Sequence, residues 1–212
     1  MVVAEGHDSF WLWAGVRPTE AVRRANTVYI LDSEIRGQPA DFVPLRMAVP
    51  RAKNPHIWLV IRTDTLDWPE GADRALAARL DQWSKAGNRV DGLQIDFDAA
   101  TRGLDRYAEF LARQRRALPA RYRLSITGLM DWSARGDPAA LNRLGGVVDE
   151  VVIQTYQGRQ TIPGYEAYFE RMRSFPIPFK VGLVERGRWV EPPGLAREPN
   201  FKGYVVFLVN QR

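Results

Sequence analysis

The stretch Asp91-Gly92-Leu93-Gln94-Ile95-Asp96-Phe97-Asp98 carries more potential chemistry than any other in the chain. In an extended strand successive side chains point to opposite faces. Leu93, Ile95 and Phe97 therefore share one face, and Gln94, Asp96 and Asp98 share the other. Two carboxylates on one face repel each other, and where that face is withdrawn from water at least one of them tends to keep its proton. Such a pair can supply a general acid and a charged neighbour for bond cleavage. Two plainer readings stand beside this one: a polar-faced edge strand, or a strand end at which Asp98 caps the following helix.

Other chemistries are excluded by what the chain lacks. Its 212 residues contain no Cys, which removes disulfides, thiolate zinc sites and cysteine nucleophiles together. The two His, His7 and His56, are too few for a three-histidine metal site and fall in no HExxH spacing. No metal and no cofactor is expected. A divalent cation held by Asp96 and Asp98 for phosphoester chemistry is a distant alternative, since their face of the motif offers no third acid and the chain has no Gly-rich phosphate loop. The net charge is +5, but the basic residues are scattered along the chain, and the clusters Arg113/Arg115/Arg116 and Arg171/Arg173 fall on or beside expected helices. A solvated face explains them, and no nucleic-acid partner is expected. No apolar run approaches the roughly 18 to 20 residues of a membrane-spanning helix.

The elements that must position the acidic strand follow from hydrophobic pattern. Short β-branched or aromatic runs at 10–14, 27–31, 56–62, 92–97, 122–128, 147–155, 179–184 and 203–209 alternate with helix-like stretches. Two amphipathic helices are clear: 71–85, with Leu76, Leu80 and Trp83 on one stripe, and 103–118, with Leu104, Tyr107 and Leu111. Weaker helices are expected at 19–25, 138–144 and 165–174. Eight strands with intervening helices predict a single compact (β/α)8 barrel of the TIM type spanning 1–212. Pro-rich segments 33–55 and 186–200 are expected to replace regular crossover helices by loops.

In such a barrel chemistry gathers at the C-terminal ends of the strands. Those ends offer Trp13, Asp32, Glu34, Arg62, Asp64, Asp131, Trp132, Gln154, Tyr156 and Glu185 beside the acidic pair. Arg62 has a plainer alternative role, as an ion-pair partner neutralising Asp96. The seven Trp of the chain suggest stacking surfaces for sugars. Trp132, directly after the fifth strand, is the first choice of platform.

Three fragments resemble known enzymes. DGLQIDFD is similar to the DGxDxDxE signature of glycoside hydrolase family 18, with Gln94 in place of the first Asp, Asp96 at the middle Asp and Asp98 in place of the Glu. IQTYQG at 153–158 resembles that family's M-x-Y-D motif, with Tyr156 at the tyrosine. Leu124 to Thr127 resembles its fifth strand. Over nearly its full length the chain resembles more closely a bacterial family catalogued as domain of unknown function 3142, through FWLWAGV, DGLQIDFDAAT, LSITGLMDW and DEVVIQTYQGR. Both resemblances imply a barrel. The first implies that Asp98 is the proton donor, whereas the second brings no established reaction.

The expected function is hydrolysis of a polysaccharide or oligosaccharide. Asp98, Asp96 and Glu185 are the catalytic candidates; Gln94, Tyr156, Gln154, Trp132, Asp131 and Trp13 are the substrate-binding ones. In one geometry Asp98 acts alone as an acid kept protonated by burial and by repulsion from Asp96. In another, Glu185 faces Asp98 across the barrel, a carboxyl separation of roughly 5 to 5.5 Å implying retention and roughly 6.5 to 9.5 Å inversion. The alternative is a glycan-binding barrel without catalysis, because Asp98 is one methylene shorter than Glu. A carbohydrate ligand and a monomer are expected. The start MVVAEGHDSF lacks a secretory signal pattern, so the expectation is either a cytoplasmic protein or a periplasmic or secreted one whose leader has been removed.

Overall fold

The computed structural model describes residues 1–13, 16, 19–52, 54–99, 103–132, 137–173 and 175–209. Its strands are β1 (Ser9–Leu12), β2 (Thr27–Arg36), β3 (Asp41–Pro44), β4 (His56–Thr63), β5 (Arg89–Asp96), β6 (Arg123–Leu129), β7 (Glu150–Gln154), β8 (Tyr156–Gln157), β9 (Gln160–Thr161), β10 (Phe179–Val184) and β11 (Phe201–Phe207). Eight of them pair in parallel in the order β1-β2-β4-β5-β6-β7-β10-β11, and β11 returns to β1. The sheet is therefore a closed TIM-type barrel, as the alternating pattern predicts. The helices between strands are α1 (Glu20–Arg23), α2 (Ala72–Lys85), α3 (Leu104–Ala117), α4 (Pro138–Gly145) and α5 (Glu166–Arg171).

Local chemistry explains the two long helices. In α2 the stripe of Leu76, Leu80 and Trp83 is buried, with Asp73 in the first turn and Lys85 in the last, the favourable signs for a helix dipole. In α3, Tyr107, Phe110 and Leu111 are buried, with Asp105 first and Arg115 and Arg116 last. Helix α4 starts on Pro138, and the Asp137 carboxylate accepts the Ala139 N–H at 3.1 Å. The region 33–55 is more ordered than its Pro content suggests. There β2 continues to Arg36, and the chain turns back through β3, pairing Glu34 with Val43 in antiparallel register. Between 186 and 200 the crossover is irregular apart from a short 3-10 turn at Leu195–Arg197. The last residue of the first expected strand, Ala14, lies outside the described residues.

Strand alternation divides the interior in two. Ile57, Leu59, Ile61, Leu93, Ile95, Leu124, Ile126, Val151 and Ile153 join the helices in the outer core. A second cluster fills the barrel itself: Trp11, Tyr29, Leu31, Trp58, Val60, Val152 and Val205. Trp11 fits there because β10 carries Gly182 alongside, where a Cβ would lie 2.7 Å from the indole.

Below the mouth the barrel also holds a buried polar chain. Trp11 Nε1 donates to Gln94 Oε1 at 2.6 Å, and Gln94 Nε2 to Ser125 Oγ at 2.9 Å. The Ser125 hydroxyl donates to Glu150 Oε1 at 3.1 Å, and the Tyr29 hydroxyl to the same oxygen at 2.5 Å. Lys180 Nζ completes the chain, 3.1 Å from the Tyr29 hydroxyl and 3.8 Å from Glu150 Oε2. Each buried polar group thus has a partner, which is what makes its desolvation tolerable.

Candidate active site at the barrel mouth

At the C-terminal end of the strands lies an open cleft of about 570 Å³. Its floor holds Asp96 and Asp98, and its aromatic wall holds Trp13, Tyr156 and Phe207. Arg62, Gln154, Gln157, Gly158, Leu129 and Ile162 complete the lining. Arg62, Asp96, Leu129, Gln154 and Phe207 come from the ends of β4, β5, β6, β7 and β11, and the β8–β9 hairpin extends the wall beyond the end of β7. The rings brace one another: Tyr156 stacks on Phe207 with centroids 5.5 Å apart, and Trp13 meets Phe207 edge-on at 5.2 Å.

The two acids differ in setting. Asp96, the last residue of β5, is buried and accepts the Thr127 hydroxyl at 2.9 Å. Burial pushes its pKa above the ordinary carboxylate value and the Asp98 charge adds to the rise, while the Thr127 bond and the Arg62 charge oppose it. Asp98, just past the strand, is exposed. The expectation that burial keeps Asp98 protonated is therefore corrected: the desolvated acid is Asp96. The Tyr156 phenol is pushed well up by burial and then by the Asp96 and Asp98 charges, so it stays neutral and presents a hydroxyl.

Several expected site residues lie elsewhere. Trp132 is buried, donates Nε1 to the Ala99 carbonyl at 2.9 Å and meets Tyr107 edge-on, so it is not a sugar platform. Its ring sits over Gly128, on the outer face of β6 where a Cβ would be 3.1 Å away. Gln94 is fully buried beneath the cleft, its amide oxygen and nitrogen both engaged by Trp11 and Ser125, and it does not line the cleft. Glu185 is also absent from the lining; its carboxylate accepts the Val209 N–H at 3.1 Å. Asp131 lies outside the cleft as well, with Oδ1 buried and without a hydrogen-bond partner among the described residues.

Asp32 is buried on the helix side, where Arg79 Nε and Trp83 Nε1 each donate to it at 2.9 Å. Glu34 pairs with Arg36 at 3.1 Å, and Asp64 lines a separate depression with residues 37–40. Asp91, at the opposite end of β5, meets His56 Nδ1 at 2.8 Å. Among the described residues no group of three or more His, Cys, Asp or Glu is gathered as for a metal ion, and no helix is long and apolar enough to cross a membrane.

Thr127 and Phe207 are site residues that motif reading does not single out. Alternation alone could find both. Thr127 shares the inward face of its strand with Ser125, and Phe207 shares that of Val205.

The closed parallel barrel with paired acids at the end of its fourth barrel strand is a TIM-type barrel, the fold of the solved structures it resembles. The chain belongs to the family described as domain of unknown function DUF3142, whose model matches residues 56–170. The spore cortex-lytic enzyme SleL of Bacillus cereus superimposes with a TM-score of 0.55 at 18% identity, covering 84% of this chain and 50% of that one. The chain thus spans half the length of SleL. The xylanase and α-amylase inhibitor protein XAIP-II of Scadoxus multiflorus gives a TM-score of 0.57 at 13% identity, covering 95% and 93% of the two chains. The tamarind chitinase-like lectin gives 0.50 at 12% identity, with 94% of each chain covered. At these identities the likeness is one of fold. No curated protein matches the sequence.

Proposed function

We propose that the cleft binds an oligosaccharide and that the Asp96/Asp98 pair hydrolyses one of its glycosidic bonds. The observation that carries this reading is the acidic pair on the floor of a cleft walled by Trp13, Tyr156 and Phe207. Aromatic rings offer flat apolar surfaces to the C–H faces of sugars, and Gln154, Gln157 and the Tyr156 hydroxyl offer hydrogen bonds to their hydroxyls. Asp98, open to the cleft, gives its proton to the leaving oxygen as the bond to the anomeric carbon breaks; water then adds its hydroxyl to that carbon and its remaining proton returns to the Asp98 carboxylate. Asp96, on the same strand face, is the desolvated partner, its pKa raised above the ordinary carboxylate value by burial. Asp98→Asn removes the donor. Turnover of a glycan substrate is expected to fall about 10² to 10⁴-fold with binding retained. Unchanged turnover would overturn the assignment.

A second reading, binding without hydrolysis, is favoured by one feature. Among the described lining residues Asp96 and Asp98 are the only acids, and Glu185 is engaged with Val209. Among the structures of similar fold are proteins described as an inhibitor and a lectin. Saturable quenching of Trp fluorescence by an oligosaccharide that is never cleaved would select this reading.

A further inference from the structure

Arg62 is the one cation among the described residues lining the cleft. It projects from the end of β4, directly opposite Asp96 in the β4–β5 register, and is exposed. A cation beside a buried acid is ordinarily explained as its ion-pair partner, yet among the described residues no acid lies within ion-pair distance of Arg62. Other arginines of this molecule do find carboxylates: Arg36 with Glu34, Arg79 with Asp32, Arg106 with Asp67, Arg121 with Asp81 and Arg143 with Asp105. The position of Arg62 also works against its neighbour, because its charge draws the proton off Asp96 while burial holds it on. An anionic group delivered by the ligand would remove that opposition by neutralising the guanidinium.

We propose that Arg62 makes the cleft selective for glycans bearing a carboxylate on the sugar seated beside Asp96, as in an oligouronate. The inference rests on the reading of the cleft as a glycan site. The planar guanidinium presents paired N–H donors that match a carboxylate bidentately. Gln154 and Gln157 remain for the hydroxyls of the same or the adjoining sugar. Charge recognition of this kind is sensitive to salt, because the site is open to solvent.

The test uses the whole chain and three probes of equal length: an oligogalacturonate, its carboxyl-reduced neutral counterpart, and a sulfated oligosaccharide. Binding is read by Trp fluorescence at low and high salt. The wild type is expected to prefer the oligogalacturonate to the reduced probe by about tenfold, the range of one charged hydrogen-bonded pair, and the preference should shrink with salt. Arg62→Gln should bring the ratio of the two affinities to near one, and Arg62→Lys should restore part of it. A melting temperature close to wild type, expected for an exposed position, shows that each variant is folded. Equal affinity of the wild type for charged and reduced probes, or a preference that survives Arg62→Gln, would overturn the assignment while leaving the glycan reading intact. Tighter binding of the sulfated probe would overturn the carboxylate in favour of a sulfate. Failure of every probe to bind would overturn the glycan reading and this inference with it.

Discussion

The Thr127 hydroxyl donates to Asp96 Oδ1 at 2.9 Å, and through this bond β6 fixes the buried acid at the end of β5. Asp96 meets three influences beyond desolvation, and two of them, Thr127 and Arg62, favour its charged form. Replacing Thr127 by Val keeps the volume and removes the donor. Asp96 should then hold its proton to higher pH. The basic limb of any pH–rate profile that reports the pair is expected to move upward, together with a loss of stability at neutral pH. An unmoved profile would show that Asp96 does not titrate with the chemistry.

Asp96 itself should be a stability cost at neutral pH. A buried acid whose pKa lies above its unfolded value binds more protons folded than unfolded between the two values, so stability falls as pH rises through that window. Asp96→Asn removes the ionisation. Its melting temperature relative to wild type is expected to be higher at neutral pH than below the ordinary carboxylate range, while turnover falls. Parallel stability curves for the two proteins would contradict the assigned direction.

Gly182 gives a packing prediction. A Cβ there would lie 2.7 and 2.9 Å from Trp11 ring atoms, and the indole is locked by its 2.6 Å bond to Gln94. Gly182→Ala is therefore expected to destabilise the barrel by about 1 to 3 kcal/mol through overpacking, read by denaturant titration. It should also disturb Tyr156, whose ring meets Trp11 edge-on at 6.4 Å.

Arg79 and Asp32 form a pair in which the acid is almost wholly buried and the Arg side chain is 12% exposed. Arg79→Ala strips two donors from that carboxylate and leaves Trp83 Nε1 and the Ser33 hydroxyl as its remaining side-chain partners. The expected loss is about 3 to 5 kcal/mol, the cost of a buried charge deprived of its counter-ion. Chemical denaturation of the single variant would settle it.

Tyr107 makes the opposite case. Its hydroxyl is buried without a hydrogen-bond partner among the described residues, near enough to Asp96 and Asp98 for their charges to add to the rise that burial gives its pKa. Tyr107→Phe removes an unsatisfied polar atom and keeps the ring packing on Phe110 and Phe97. The variant is expected to equal or exceed the wild type in stability, by up to about 1 kcal/mol. A clear loss would reveal a partner for the hydroxyl.

Much of the barrel was legible because it depends on short-range pattern. Alternation along 91–98 put Leu93 and Ile95 toward the helices and Asp96 into the mouth, and the stripe of Leu76, Leu80 and Trp83 marked α2. The same rule reached its limit with the strand-end residues. Trp132 and Asp131 follow β6 in sequence as Asp98 follows β5. Yet the chain after β6 turns its Trp outward over Gly128, a choice made by the shape of a pocket built from β6, β7 and α3. Asp32 followed the β2 register through the irregularity between Leu31 and Ser33 and emerged facing Arg79 on α2. Sequence pattern carries no signal for that shift.

What the sequence by itself determined is the alternation of strand and helix, and with it the closed barrel and the inward parity of Asp96, because hydrophobic periodicity and strand geometry act over a few residues. Which acid is desolvated, which Trp lines the cleft and which arginine stands beside the buried acid were decided only by tertiary structure. Those properties depend on groups far apart in the chain: Thr127 and Arg62 around Asp96, Phe207 beside Trp13 and Tyr156, and Val209 against Glu185. Electrostatic environment and burial are sums over spatial neighbours, and those neighbours are named only when the barrel closes.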